Sequence, residues 1–344
     1  MSTARSRTSK NKTTKRHLKV EVKTLFSPRV LAILVLSSFA IAMIVNPSYY
    51  LDSARRGLSL YATTVLPSLF PFYFCSLLLT KIGAAKTLSL IFEKPMKKLY
   101  STPKESAYVM LLSMISGYPV GASCAKELYL AGVLTKSDVK AISAFASTSG
   151  PIFMLGTLGT AVFQNARVGV IILVSHYLAA LINGLFYKVK PSSKSSSAVA
   201  VQAIKGADEA LGESVAQSTV AMLTLGGYIV LAGIVVDTLS LIGVDSALQR
   251  MLGEKAQPII ALIFGFIEMT RGSIECAKCS FVPLGVALAS ATVSFGGLSI
   301  LFQQYAFLSP CGMKLREIFL RKLTQSLLCF SIAFAISFLF SYFL

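Results

Sequence analysis

The sequence has few charged residues for its length. Only 14% of its 344 residues are Asp, Glu, Lys or Arg, whereas 54% are hydrophobic, and the mean hydropathy is +0.68. A soluble domain carries roughly 25% charged residues, so this chain has too little polar material to cover a globular surface. The composition predicts an all-α polytopic membrane protein that contacts the lipid bilayer.

Histidine and cysteine are also scarce. His17 and His176 are the two histidines, which excludes a histidine-based catalytic triad and a His-rich metal cage. Cys276 and Cys279 form a lone C-x-x-C without a second ligand pair, so we expect no structural zinc. The sequence also lacks a phosphate-binding loop and a dinucleotide fingerprint. We therefore expect no enzyme, no cofactor and no metal site.

Positive charge is abundant, with a formal net charge of +18. Residues 1–29 hold nine Lys or Arg against one acid, Glu21. Such a run could bind nucleic acid or anionic lipid. Directly before the apolar run 30–45, however, a disordered arm that holds the N-terminus in the cytoplasm is the better interpretation. No nucleic-acid partner is expected, and the apolar run is predicted to be a retained signal anchor.

Apolar windows divide the chain into membrane repeats. A polar, serine-rich segment at 188–207 is predicted to be a cytoplasmic linker between two halves. The expected organisation is a basic arm at 1–29, an anchor span and loop at 30–56, repeat 1 at 57–187, the linker at 188–207, and repeat 2 at 208–344. We expect about seven transmembrane spans.

Several apolar windows are interrupted by Gly, Pro or polar residues. Window 57–79 contains two prolines, and 82–100 is mixed enough to lie along the membrane interface. Windows 107–132 and 258–281 have arms too short to span, so each predicts a re-entrant helical hairpin. Windows 141–163 and 284–308 are broken at 147–151 and 295–297.

Short groups of identical residues recur in the same order in the two halves. Cys124-Ala125-Lys126 matches Cys276-Ala277-Lys278, and Gly150 matches Gly296 after one insertion. Three full crossings in repeat 1 would invert repeat 2 relative to it. The corresponding topology places 26 Lys or Arg inside and six outside, which agrees with the positive-inside rule.

Repeated breaks inside a membrane indicate a solute site, because freed backbone groups need partners there. Glu268 and Arg271 lie three residues apart in the second hairpin. Either they pair and pin its tip, or Arg271 binds an anionic solute; the sequence leaves both open. Asp237 is expected near the outer interface, and His176 is expected to be a helix-packing residue.

Three motifs carry a family resemblance: S-G-Y-P-V-G-A at 116–122, S-T-S-G-P at 147–151, and F-I-E-M-T-R-G at 266–272. They resemble the YlbJ-type sporulation integral membrane proteins, whose membrane region is similar to the nucleoside-recognition Gate domain. The resemblance implies transport of dipicolinic acid across the outer forespore membrane. The matching substrate-binding positions are Ser116, Gly117, Tyr118, Pro119, Ser147, Thr148, Ser149, Gly150, Glu268, Thr270 and Arg271.

Other functions stay open at this point. A carrier of a nucleoside or another neutral solute would leave Arg271 structural, and a non-transporting membrane scaffold would use the basic arm to bind a partner. Assembly of the chain into a homo-oligomer is also left open.

Overall fold

The computed structural model describes residues 28–84, 89, 92–188 and 207–341, and these residues are helical with connecting turns. The predictions for the basic arm and the serine-rich linker fall almost entirely outside them. The chain divides into two compact units, with the boundary between Ser53 and Ala54.

The first unit holds one apolar helix and the start of a second. Helix α1 (Pro28–Val45) covers the predicted signal anchor, and α2 begins after it at Pro47. The two helix axes are bent by 104° at this junction. Large apolar side chains of α1 such as Leu34 and Leu36 are more than half exposed. This exposure suits a helix surrounded by lipid.

The second unit continues α2 and contains twelve further α-helices in the described part of the chain. Their bounds are α2 (Pro47–Leu60), α3 (Leu66–Lys81), α4 (Glu105–Ser116), α5 (Tyr118–Leu130), α6 (Lys136–Ile142), α7 (Ala166–Phe186), α8 (Ala207–Leu241), α9 (Val244–Leu252), α10 (Ala256–Ile267), α11 (Met269–Cys276), α12 (Val282–Phe295), α13 (Gly297–Leu308) and α14 (Leu315–Leu339). A π-helical segment, Phe153–Val162, precedes α7, and a short helical turn at Glu93–Pro95 precedes α4.

Within the described residues, four helices are long and apolar enough to cross a membrane, or five if the bent pair around residue 46 counts as one span. The four are Ala166–Phe186, Asp208–Leu241, Val282–Cys311 and Leu315–Leu339. Shorter apolar helices lie at Leu69–Lys81, Glu105–Ser116 and Phe153–Val162. A membrane protein built of helices is therefore confirmed, and the count of seven spans stays a prediction.

At the kink expected in window 57–79 the structure has a short π-helical segment. Tyr61–Val65 is π-helical and joins α2 to α3, which has Pro67 in its first turn and Pro71 inside. Proline cannot donate a backbone hydrogen bond and crowds the carbonyl four residues earlier. The wider π-turn lies directly before Pro67, where such a rearrangement relieves the crowding.

Two ion pairs lie near opposite ends of α8 and connect it to α2 and α3. Lys81 Nζ lies 2.6 Å from Glu213, and Arg56 lies 2.7 Å from Asp237. Glu213 and Asp237 are roughly 36 Å apart along α8 at 1.5 Å per residue. That separation slightly exceeds the hydrocarbon thickness of about 30 Å. The charged ends of α8 are thus spaced to lie at opposite membrane surfaces.

Each window predicted to form a hairpin contains two short helices that contact each other, and their re-entry on one side of the membrane stays a prediction. Helices α4 and α5 meet at Gly117, whose φ of +97° ends one helix and starts the next. Helices α10 and α11 meet at Glu268, which has extended backbone geometry. In the second hairpin, a Cβ added to Gly272 would overlap the Gly265 Cα. Glycine is required there because the two backbones touch.

The predicted sidedness can be tested by cysteine labelling. Cys75 is the exposed one of the six cysteines, so Cys75→Ser gives a background whose other thiols are buried. In that background Lys98→Cys should react with a membrane-impermeant maleimide from the cytoplasmic side and Gln249→Cys from the opposite side, because both positions are exposed and the Lys/Arg distribution separates them. Labelling of both positions from one side would contradict the odd number of crossings in repeat 1.

Candidate functional site

The first hairpin tip contacts the first broken helix. Residues 147–150, which we call the first break, lie between α6 and the helix that resumes at Pro151. A Cβ added to Gly117 would lie 3.2 Å from the Gly150 backbone nitrogen. The structure thus brings together two of the motifs that the sequence singled out. Only the backbone of Pro119 is described, as part of the first turn of α5.

Side chains from several helices bind the free backbone groups of the first break. The Thr148 N–H donates to Ser113 Oγ at 3.2 Å, and the Ser149 N–H donates to His176 Nε2 at 2.8 Å. The Ser149 carbonyl accepts from the Tyr177 hydroxyl at 3.4 Å. These bonds replace those that a continuous helix would make, as burial in an apolar environment requires.

His176 connects the first break to the second half of the chain. Its Nε2 accepts the Ser149 N–H, so the ring proton of the neutral form lies on Nδ1 and donates to Ser294 Oγ at 2.6 Å. Ser294 lies just before the break at Gly296. His176 is fully buried and occupies the middle of the 21-residue helix α7. It is thus a packing residue, as expected, and it also holds two breaks together at mid-span.

A buried lysine completes this cluster. Lys322 is fully buried, and its Nζ donates to the Ser147 hydroxyl at 3.2 Å and to the Ser147 carbonyl at 3.3 Å. The ammonium also lies 4.3 Å from the centre of the Tyr118 ring. Gln304 donates to the same Ser147 hydroxyl, and Gln325 donates to the Ser147 carbonyl. We call Tyr118, Ser147, His176, Gln304, Lys322 and Gln325 the central cluster.

Sequence reasoning missed Lys322. The positive-inside count assigned it to a cytoplasmic segment because it follows Lys314, Arg316 and Arg321 near the start of the final span. In the structure it lies two turns inside α14 and has no exposed surface. This residue must therefore be removed from the cytoplasmic count, which still strongly favours the inside. A lysine in the first turns of an apolar span was the signal that could have found it.

The second hairpin tip contacts the second break in a similar way. The Glu268 carboxylate accepts the Arg271 N–H at 2.8 Å and so caps α11, with Thr270 as a further hydrogen-bond partner. A Cβ added to Gly297 would lie 2.8 Å from the Ile267 carbonyl oxygen. Each hairpin tip therefore touches a glycine in a break: Gly117 touches Gly150, and the Ile267–Glu268 backbone touches Gly297.

Arg271 pairs with Asp237 rather than with the Glu268 side chain. Its guanidinium donates to Asp237 at 2.7 Å, and Arg56 donates to the other oxygen of the same carboxylate at 2.7 Å. The Arg271 side chain is 40% exposed, whereas that of Asp237 is 7% exposed. The pair lies at the Asp237 end of α8, where we expected the outer interface. Of the two roles considered for Arg271, this geometry favours pinning the second tip.

The close packing of the second hairpin gives a stability prediction. Gly272→Ala should lower the free energy of unfolding by about 1–3 kcal/mol, because the new methyl group has no room against Gly265. Gly227→Ala in α8 is the matched control: nothing lies within 4 Å of its added Cβ, so it should be neutral or stabilising by up to ~1 kcal/mol. Thermal unfolding of the two purified variants measures the difference. Equal melting temperatures would contradict the close approach of α10 and α11.

Comparisons with known proteins were made for the whole chain. No protein-family model and no solved structure matches it. The "Sporulation integral membrane protein YlbJ" of Bacillus subtilis (strain 168) is 25% identical over 311 residues, which cover 82% of this chain and 76% of that protein. This similarity extends well beyond the three short motifs, and it confirms the resemblance to the YlbJ-type sporulation integral membrane proteins.

Proposed function

We propose that this protein transports a small organic anion across a membrane, with dipicolinate as the candidate solute. The observation that carries the proposal is the convergence of two helix breaks on His176 at mid-span. Non-helical backbone at membrane depth occurs where it is buried in protein or lines a solute pathway. In secondary transporters, discontinuous helices of this kind present helix ends and free backbone groups to the solute.

The contacts of the two halves support an inverted-repeat architecture. Gly117 touches Gly150 in the first half, and the Ile267–Glu268 backbone touches Gly297 in the second. Such paired elements are what a transporter with two related halves would use to open each side of one central site in turn. The closed conformation leaves a cavity of only about 10 Å³ beside Ser147 and Gln304. A dicarboxylate could enter only after the surrounding helices move apart.

The identity of the solute rests on charge and on the family. Helix α5 and the helix that resumes at Pro151 direct their positive ends toward the Gly117–Gly150 contact. The similar Bacillus subtilis protein is named for sporulation. The resemblance to its family implies that dipicolinate crosses the outer forespore membrane during sporulation. The residues proposed to contact the solute are those of the first tip and the first break, together with the central cluster.

A neutral solute is the second candidate, and one observation favours it. Arg271, the arginine considered as an anion site, already has Asp237 as a partner. The serine and glutamine side chains of the central cluster would also suit the hydroxyl groups of a nucleoside. A non-transporting scaffold depends on the basic arm, which lies outside the described residues.

An uptake assay separates these functions. Proteoliposomes containing the full chain should accumulate labelled dipicolinate above protein-free vesicles, with an excess of unlabelled dipicolinate blocking uptake and an excess of uridine leaving it unchanged. Competition by uridine together with weak dipicolinate uptake would support the neutral-solute carrier. Uptake of neither compound by correctly folded protein would count against transport and favour the scaffold.

The role assigned to Arg271 gives a second prediction. Arg271→Gln should reduce transport and stability because it leaves the Asp237 carboxylate with one partner fewer. The double variant Arg271→Gln with Asp237→Asn should recover much of both, since the carboxylate charge that lost one partner is also removed and the ion pair lost by Arg56, which is 54% exposed, contributes little. Lys278→Gln is the control: this lysine pairs with Glu275 but is 57% exposed, and exposed pairs contribute little. A folded double variant with no dipicolinate uptake would instead favour a direct role for Arg271 in anion binding.

A further inference from the structure

We propose that the Lys322 ammonium binds a carboxylate group of the transported solute. The inference rests on the proposed transport function and specifies its charged contact. It concerns a residue that none of the three family motifs contains.

The first argument is the partner set of Lys322. Its two hydrogen bonds go to the hydroxyl and the carbonyl of Ser147, which are neutral groups, and its third close neighbour is the Tyr118 ring. Among the described residues, no carboxylate forms an ion pair with it. Lysines elsewhere behave differently: Lys81 pairs with Glu213 and Lys140 with Glu317.

The second argument is the cost of such an arrangement. A buried charge without an opposite charge is strongly unfavourable, and hydrogen bonds to neutral groups compensate it only in part. Charged residues inside membrane-spanning segments usually face a cavity or a functional partner. Lys322 has no exposed surface, and the small cavity beside Ser147 lies next to its hydrogen-bond partner. An anionic solute at this cavity would supply the missing negative charge.

The third argument is an unsatisfied polar atom in the same cluster. Gln325 is buried, and its Nε2 donates to the Ser147 carbonyl at 3.3 Å, while its Oε1 has no hydrogen-bond partner. A buried acceptor without a donor costs about 1–3 kcal/mol. The cluster therefore has both a buried lysine without an anionic partner among the described residues and a spare acceptor. A hydrated carboxylate ligand would satisfy both, with its oxygen on Lys322 and a bound water donating to Gln325.

The positions of the helix ends agree with this assignment. Tyr118, whose ring contacts the ammonium, is the first residue of α5, and Ser147 belongs to the first break, which precedes the helix that resumes at Pro151. The positive end of α5 therefore lies beside the lysine, and a second helix begins four residues after Ser147. The positive end of α5 adds to the attraction of the lysine for an anion.

Binding measurements on the full chain in detergent test the inference. The probe is dipicolinate, with pyridine as the uncharged analogue and uridine as the neutral solute, and the readout is the ligand-induced rise in melting temperature over a concentration series. The wild-type protein should respond to dipicolinate alone. Lys322→Gln, whose amide can still donate to Ser147, should weaken dipicolinate binding by about 10- to 150-fold, the factor expected for a lost charged hydrogen bond. Lys322→Met, which removes charge and donors at nearly constant length, should do the same.

Lys81→Met is the matched control. It also removes a largely buried lysine, but one that has Glu213 as its partner at the end of α3. Its affinity for dipicolinate should stay within about threefold of wild type. The Lys322 variants should unfold no earlier than wild type when no ligand is present, because each removes an uncompensated buried charge.

The outcomes separate the inference from the function on which it rests. Unchanged dipicolinate affinity in either folded Lys322 variant would overturn the inference and leave transport of dipicolinate standing. Absence of any wild-type response to dipicolinate, together with uptake of uridine, would overturn the proposed solute and the inference with it. If both Lys322 variants unfold while Lys81→Met does not, the lysine is a structural residue and the inference fails.

Discussion

The architecture depends on one constraint: backbone groups released from a helix inside a membrane must find partners within the protein. The first break releases such groups at Thr148 and Ser149, and the partners come from α4 and α7. His176 accepts the Ser149 N–H and also donates to the Ser294 hydroxyl in the second half of the chain. One imidazole thereby fixes the position of the second half of the chain relative to the first break.

Charge is distributed in two distinct ways around this framework. At the ends of α8, cations have acidic partners: Lys81 has Glu213, and Arg271 has Asp237. In the centre, the hydrogen-bond partners of Lys322 among the described residues are neutral, and an aromatic ring lies beside it. Paired charges at the ends of α8 stabilise the bundle, whereas a central lysine without an anionic partner is suited to binding an anion, which is the role proposed for it above. The difference in partners, rather than the number of cations, is the basis of that proposal.

Much of the helix pattern could be predicted because Gly and Pro interrupt the apolar windows. The breaks near Gly117, at 147–150, at Glu268 and at Gly296 all follow from this pattern. The hydrogen-bond partners of the backbone groups at these breaks could not be predicted from the sequence, since they depend on tertiary packing. Arg271 and Glu268 are close in sequence and suggested a pair, yet Asp237, 34 residues away, reaches the guanidinium. The burial of Lys322 was not predicted because its sequence neighbours are basic, and a run of basic residues is typical of a segment at the membrane surface.

With Lys322 as the proposed carboxylate site, the central lysine would also link solute binding to conformation. Lys322 is fully buried, so an ammonium at this position without an anion would be an uncompensated charge. Opening would admit water to the ammonium, and a bound carboxylate would make closure favourable again. A ligand shifts a conformational equilibrium only by its difference in affinity between the two states. With Lys322 as the carboxylate site, that difference arises from a single interaction, which is strong when the site is closed and weakened by water when it is open.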